Sequence, residues 1–450
     1  MSHGSSPRAA SRRRFLQSSG AAVAAASIAS LAKPVHAAGS DQLKIALVGC
    51  GNRGTGAAVN ALQVEPNVKL WAMADAFADR LEQSHDLLSK GGGRGKAAIS
   101  SSLGARVDVP PERRFVGLDA FRQAIDAVDV AILTGPPGFR PEHFEYAVEQ
   151  GKHVFMEKPV ATDAPGIRRI LAAAETAKKK NLKVGVGLQR HHEDKYLETI
   201  RRLGDGAIGD IRTLRCYWNG NTAKKPVARE GLTEMQYQLR NWYYFSWLSG
   251  DHIVEQHVHN LDVCNWIMGG PPVSAMGMGG RQMRTGKEYG DIFDHHAVEY
   301  TYANGLRMFS ACRQMPGCDT LIGEFAVGSK GEADVGGAVI RSGETEWRYP
   351  HARSGAKKPN PYQVEHDALF AAILSDAPYN EAENGAMATM TAILGRMATY
   401  TGRKVTWDEG FASTRALSPE KFDGWQTVSR TLPNAEGLYK LPQPGLIREV

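Results

Sequence analysis

The segment KIALVGCGNRG, residues 44–54, constrains this chain more than any other. A nearly continuous apolar run leads into Gly49-x-Gly51-x-x-Gly54, and TGAAVNALQ then offers a helix. Unbroken apolarity marks a strand covered on both faces, as in a parallel sheet with helices on either side. Gly49 permits a tight turn, Gly51 lets backbone approach a pyrophosphate, and Gly54 lets the helix pack close on the strand. Asn52 and Arg53 open a helix whose unpaired N–H groups face an anion. A second run, VKLWAMAD, ends in Asp75, where a carboxylate accepts hydrogen bonds from both ribose hydroxyls. That acid favours NAD, and Arg80 close by leaves NADP open.

The alternation continues. DVAILTGPP (129–137) is a strand whose loop carries Thr134 and Pro136 at the ligand-facing edge of the sheet. PEHFEYAVEQG starts on proline and stops on glycine, as helices do, and KHVFMEKP is the next strand. A helix from about Gly166 to Lys180 and the strand LKVGVGLQR complete the pattern. The expectation is an α/β chain: a doubly wound parallel Rossmann sheet over 41–190, then a second domain over 191–450. GGGRGKAAISSS (91–102) lacks the glycine spacing and the Ser or Thr of a P-loop and reads as a flexible basic insertion.

The N-terminus is of another kind. Ser11-Arg12-Arg13-Arg14-Phe15-Leu16 resembles the twin-arginine export signal, followed by a weakly apolar alanine-rich run and small residues near VHAA. Residues 1–38 are expected to be removed after Ala37 or Ala38, leaving no membrane anchor. The twin-arginine export machinery would then deliver the chain to the periplasm. The net charge of +6 is mostly this segment, which holds Arg8, Arg12, Arg13, Arg14 and Lys33 with no acid. The remainder is nearly neutral and gives no footprint for nucleic acid. Five scattered cysteines without a C-x-x-C pair read as buried free thiols.

Two places could carry chemistry. Glu157-Lys158-Pro159 ends a strand at the edge where a nucleotide would lie, with a Lys-Pro bond that is a candidate for cis geometry. In SGDHIVEQHVHNLDVCNWIMGG (249–270), one helix would align His252, Glu255, His259, Asp262 and Trp266 along a stripe beside Val254, Val258 and Leu261. No metal is expected, although His252, Glu255 and His259 could meet one from a single helix face, and a purely structural stripe is the other alternative. RNWYYFSWLSG (240–250), with Trp242 and Tyr243, offers aromatic surfaces for a sugar ring or simply core.

From about Leu43 to Trp407 the chain resembles the glucose–fructose oxidoreductase and inositol dehydrogenase family (Gfo/Idh/MocA). The resemblance rests on GCGNRG, Asp75, GKHVFMEKP, the E-x-x-x-H-x-x-D segment and VEHDALFAAI…ATYTGRKVTW. It implies Lys158, His259 and Glu255 as catalytic residues, with Glu255 standing where the family usually has Asp. It also implies a C-terminal α+β domain with an open, mostly antiparallel sheet, formed in part by a hairpin around Asn304-Gly305. Helices near 362–401 would pack back on the nucleotide domain, and open sheets would pair into a homodimer or homotetramer.

The expected reaction is hydride transfer on a carbohydrate. His259 takes the hydroxyl proton, Lys158 steadies the developing oxyanion, and Glu255 orients the pair. Glu157 lies beside the coenzyme, and Arg190 and Asp262 are further substrate candidates. Outside the cell no NADH pool exists, so a tightly held coenzyme must be recycled in place. That leaves open a redox-neutral glycosidase or epimerase, and, from another class, a non-enzymatic sugar-binding scaffold.

Overall fold

The computed structural model describes residues 42–93, 98–221, 224–350, 359–419, 422 and 424–447. The export signal and part of the basic insertion lie outside them. Six strands, β1 (Leu43–Val48), β2 (Val68–Asp75), β3 (Arg114–Val116), β4 (Val130–Leu133), β5 (His153–Met156) and β6 (Val184–Val186), form one sheet. Their order is β3-β2-β1-β4-β5-β6, and every pairing is parallel. This is the doubly wound arrangement expected, with its switch point between β1 and β4. Apolar runs such as Val130–Leu133 are buried throughout because helices cover both faces.

The crossover helices begin and end where local chemistry dictates. Asp163 caps Ala164–Lys179 by accepting from Gly166 N at 2.8 Å, Pro165 sits in the first turn, and Lys178 and Lys179 close the last. Gly151 follows the helix Arg140–Glu149 at φ +72°, conformation that glycine adopts without strain.

Nine further strands build the second sheet: β7 (Ile211–Gly220), β8 (Ser274–Gly280), β9 (His295–Thr301), β10 (Arg307–Gln314), β11 (Leu321–Gly328), β12 (Gly331–Asp334), β13 (Val339–Ser342), β14 (Thr345–Arg348) and β15 (Val405–Thr406). The order is β14-β13-β12-β11-β7-β10-β9-β8-β15, antiparallel except for the β7–β10 pair. The hairpin β9–β10 turns at Asn304-Gly305, where Gly305 has φ +81°.

This sheet has one covered face and one bare face. On the covered side Val298, Tyr300, Met308, Leu214 and Cys216 pack under the helices Val258–Met268 and Ala382–Thr401. The register places Met276, Glu299, Phe309, Arg215 and Phe325 in one cross-strand row on the other side. Met276, Met278 and Phe309 are 52%, 75% and 44% exposed there.

The helix Pro361–Ser375 crosses back to the first sheet, where Leu369 and Phe370 join the core formed by Ile45, Leu47, Val130 and Phe155. One long apolar cluster runs from the opposite face of the first sheet, through Ala382–Thr401, to the second. Among the described residues no helix is long and apolar enough to cross a membrane. Four cysteines are buried, Cys318 is half-buried, and all five are free.

Candidate functional site

The glycine turn differs at each position. Gly49 lies at φ +96°, and a Cβ there would collide with the backbone of Thr134 and Gly135. At Gly54 a Cβ would collide with Gly49 O and Thr134 Oγ1, so the helix rides directly on the turn. Gly51, by contrast, has no protein atom within 4 Å of a built Cβ. It is the N-cap of Asn52–Val64, with no side-chain cap. The open space and the uncapped N–H groups coincide, which suits a phosphate.

Asp75, at the end of β2, is held ready by backbone. Its carboxylate accepts from Cys50 N at 2.6 Å and from Phe77 N at 2.9 Å. Burial raises its pKa, against the lowering effect of those two amides. Thr134 Oγ1 donates to Gly49 O at 2.6 Å and ties the β4 loop, with Pro136, to the glycine turn.

Arg53 and Glu157 meet each other. The guanidinium pairs with the Glu157 carboxylate and, at 3.1 Å, with Glu365 from Pro361–Ser375, and it lies 4.8 Å above the Tyr362 ring. Burial, with the neighbouring Glu157, raises the Glu365 pKa well above its ordinary value. No local pattern marked Glu365, because it arrives from 312 residues downstream.

Lys158 follows β5, and the Lys158-Pro159 bond is cis. Its ammonium donates to the carbonyl of Glu255 and lies 3.4 Å from that residue's carboxylate. Glu255 ends a four-residue helix, His252–Glu255, and His259 stands in the first turn of Val258–Met268. The expected single helix is therefore broken at Gln256-His257. Tertiary partners hold the break: Gln256 accepts from Gln314 at 2.5 Å, and His257 Nε2 bonds Ser310 at 2.7 Å.

The break dissolves the continuous stripe. Glu255 and His259 stay with Lys158, while His252 turns to Asp251 and His296. Asp262 bonds His191 at 2.8 Å, and Trp266 stacks on the same imidazole at 4.2 Å. Burial opposes charge on His191, but the Asp262 carboxylate more than offsets it and raises the pKa.

His259 is buried, its Nδ1 has no hydrogen-bond partner, and its ring lies 6.1 Å from Trp218. Burial first, then the charges of Lys158, Arg190 and Arg53, drives its pKa well below 6.5. The imidazole is neutral at pH 7 and is competent to accept a proton.

The substrate candidates separate. Arg190 is locked on Glu324 of β11, which also accepts from Asn260 and, at 3.2 Å, from Tyr196. Tyr243, Tyr244, Phe245 and Trp247 are core, and the Tyr243 hydroxyl accepts from Gln314. Trp242 is half-buried, with the Lys224 ammonium 3.8 Å from its ring centroid. Lys224 feels both Glu255 and Lys158, so it borders the catalytic group. No motif or spacing marked it in advance.

Residues 43–188 match the GFO/IDH/MocA oxidoreductase family, NAD-binding Rossmann fold, and residues 196–332 match that family's C-terminal domain. Inositol 2-dehydrogenase of Gluconacetobacter diazotrophicus is 29% identical over 236 residues, 49% of this chain and 62% of that protein. The chain spans about half to two thirds of the length of the curated relatives it matches. Aldose-aldose oxidoreductase from Caulobacter crescentus, complexed with glycerol, shares the fold at TM-score 0.62 and 20% identity, over 81% of this chain and 99% of that one. Scyllo-inositol dehydrogenase from Lactobacillus casei, with bound NAD(H) and scyllo-inositol, does so at TM-score 0.59 and 20% identity, over 82% and 100%.

Proposed function

The chain belongs to the GFO/IDH/MocA oxidoreductase family, and from that premise we propose that it is an NAD-dependent dehydrogenase acting on a CH–OH group of a sugar, cyclitol or related polyol. The observation that carries this reading is the convergence of Lys158, Glu255 and a neutral His259 beside a glycine turn with room for a pyrophosphate. Gly51 and the start of the Asn52 helix would hold the phosphates, Asp75 the adenosine ribose, and Thr134 and Pro136 the wall beyond. When bound, NAD supplies the acceptor for the hydride that leaves the carbinol carbon.

The residues supply the rest. His259 Nε2 takes the hydroxyl proton, because the ring is uncharged and Nδ1 is enclosed. The Lys158 ammonium donates to the substrate oxygen as negative charge grows there. Its hold on the Glu255 carbonyl fixes its direction, and the Glu255 carboxylate balances its charge. The Lys224 and Trp242 pair offers a cationic edge and an aromatic face to the ring of a polyol.

The chain leaves the cell folded, by the twin-arginine route, with its coenzyme already bound; the support is the SRRRFL signal ahead of an NAD-binding fold. It assembles as a dimer or tetramer through the bare face of the second sheet, where Met276, Met278 and Phe309 stand exposed.

The test is a titration of purified protein with NAD and NADP, followed by NADH formation across inositols, aldoses and anhydrosugars. Saturable NAD binding with turnover on one of these classes is expected. Protein that captures neither coenzyme would end the proposal.

A further inference from the structure

Behind the catalytic group lies a buried cluster in which three imidazole nitrogens, both of His252 and Nε2 of His296, have no hydrogen-bond partner. Asp251, His252 and His296 are wholly enclosed, and one ligand atom from each lies within 4.8 Å of the others. Asp251 Oδ2 is 3.2 Å from His296 Nε2, and the other carboxylate oxygen is 3.9 Å from His252 Nε2.

One tautomer of His296 accommodates both contacts of Thr399. Thr399 spends its hydroxyl proton on Arg396 O at 3.0 Å, so at 3.0 Å from His296 Nδ1 it accepts. Nδ1 therefore carries a hydrogen, and in the neutral ring the Nε2 lone pair faces the carboxylate. That oxygen already accepts from Tyr400 OH at 2.6 Å and Phe293 N at 3.0 Å. A cation between the two sets of lone pairs would remove this opposition.

A proton on Nε2 would satisfy His296 alone. It would leave both nitrogens of His252 without a partner in the interior, where an unmade hydrogen bond is costly. A metal ion uses His252, His296 and Asp251 together. We propose that these three residues bind a divalent transition-metal ion, with zinc the preferred occupant.

Two features support the choice. Two imidazoles with one carboxylate form a nitrogen-rich set suited to zinc rather than magnesium or calcium. The ligands are also oriented from behind, His296 by Thr399 and Asp251 by Tyr400 and Phe293. Arg281, Arg284 and Arg396 add positive charge nearby, partly offset by Asp291 and Asp294. That field opposes any cation, so bonds to the two imidazole nitrogens must supply the affinity. Enclosure makes the ion structural: it joins the Glu255 helix to β9 and, through Thr399 and Tyr400, to Ala382–Thr401.

Elemental analysis of full-length protein purified without chelator tests this. Near-stoichiometric zinc is expected, falling at least tenfold in His252→Gln and His296→Gln but not in His295→Gln, whose ring pairs with Asp294 instead. Should either variant fail to fold, wild-type protein stripped by chelator and refilled with Co²⁺ must show a visible d–d band. Protein that arrives metal-free and takes up neither Zn²⁺ nor Co²⁺ in equilibrium dialysis overturns the site, as does zinc retained in His252→Gln. NAD capture measured on the same samples keeps this result separate from the dehydrogenase proposal.

Discussion

The two sheets solve different problems with different kinds of residue. In the first, the nucleotide turn is shaped by the ends of neighbouring parallel strands, and backbone does most of the work. Gly49, Gly54 and Thr134 close on one another, and Asp75 is aimed by two amides. Around the second, side chains from distant segments are pinned by buried charge, Arg190 on Glu324 and His191 on Asp262, and Lys158 on Glu255 joins the two regions. A site made of backbone depends on the absence of side chains, whereas a site made of side chains depends on partners arriving from elsewhere.

The largest effect should fall where the regions meet. Lys158→Ala is expected to lower kcat by about 10³-fold or more while NAD affinity changes little, because only the developing oxyanion loses its donor. Steady-state kinetics beside a binding titration checks this, and unchanged kcat would remove Lys158 from the chemistry. Next comes Glu324→Ala, which strands the buried Arg190 charge and should cost about 3–5 kcal/mol in chemical denaturation. A loss under 1 kcal/mol would show that the second sheet does not rely on that pair.

Acid should separate the two regions by sign. His143 and His366, packed around the first sheet, are both pushed down to about 3 by burial. Unfolding lets each bind a proton below its ordinary 6.5, so each contributes stability that is lost as pH falls from 6.5, by about 1.4 kcal/mol per pH unit. His191 behaves oppositely: its raised pKa gives stability present below 6.5 and lost as pH rises through the folded value. Urea melts between about pH 4 and 8 should show an acid slope shallower by about 1.4 kcal/mol per pH unit in His366→Phe and should lose their alkaline loss in His191→Gln.

The smallest effects dissect the glycine turn. Gly54→Ala forces a Cβ into Gly49 O and should destabilise by about 1–3 kcal/mol. Gly51→Ala meets no protein atom and should change stability by less than about 1 kcal/mol, yet weaken NAD binding. Equal losses of stability in the two variants would erase the distinction between packing glycine and ligand-facing glycine.

Legibility followed the same division. The parallel sheet, the glycine turn and Asp75 could be read because an apolar run, a helix start and a turn are short-range properties. The open sheet came from family resemblance, with only its β9–β10 hairpin carrying a local sign in Asn304-Gly305. The helix break at Gln256-His257 had no such sign. Val258–Met268 is buried nearly all round, so its pattern has no polar face to reveal a boundary.

By itself, then, the sequence determined the wound sheet and the identity of the groups at its edge, since those follow from backbone freedom and from which side chains tolerate burial. Only the tertiary structure decided which polar groups became partners. Glu365 reached Arg53, Glu324 reached Arg190, and His252 left the stripe for Asp251 and His296. A buried charge or imidazole must be satisfied by whatever the fold brings within about 3 Å, and that choice is made in space rather than along the chain.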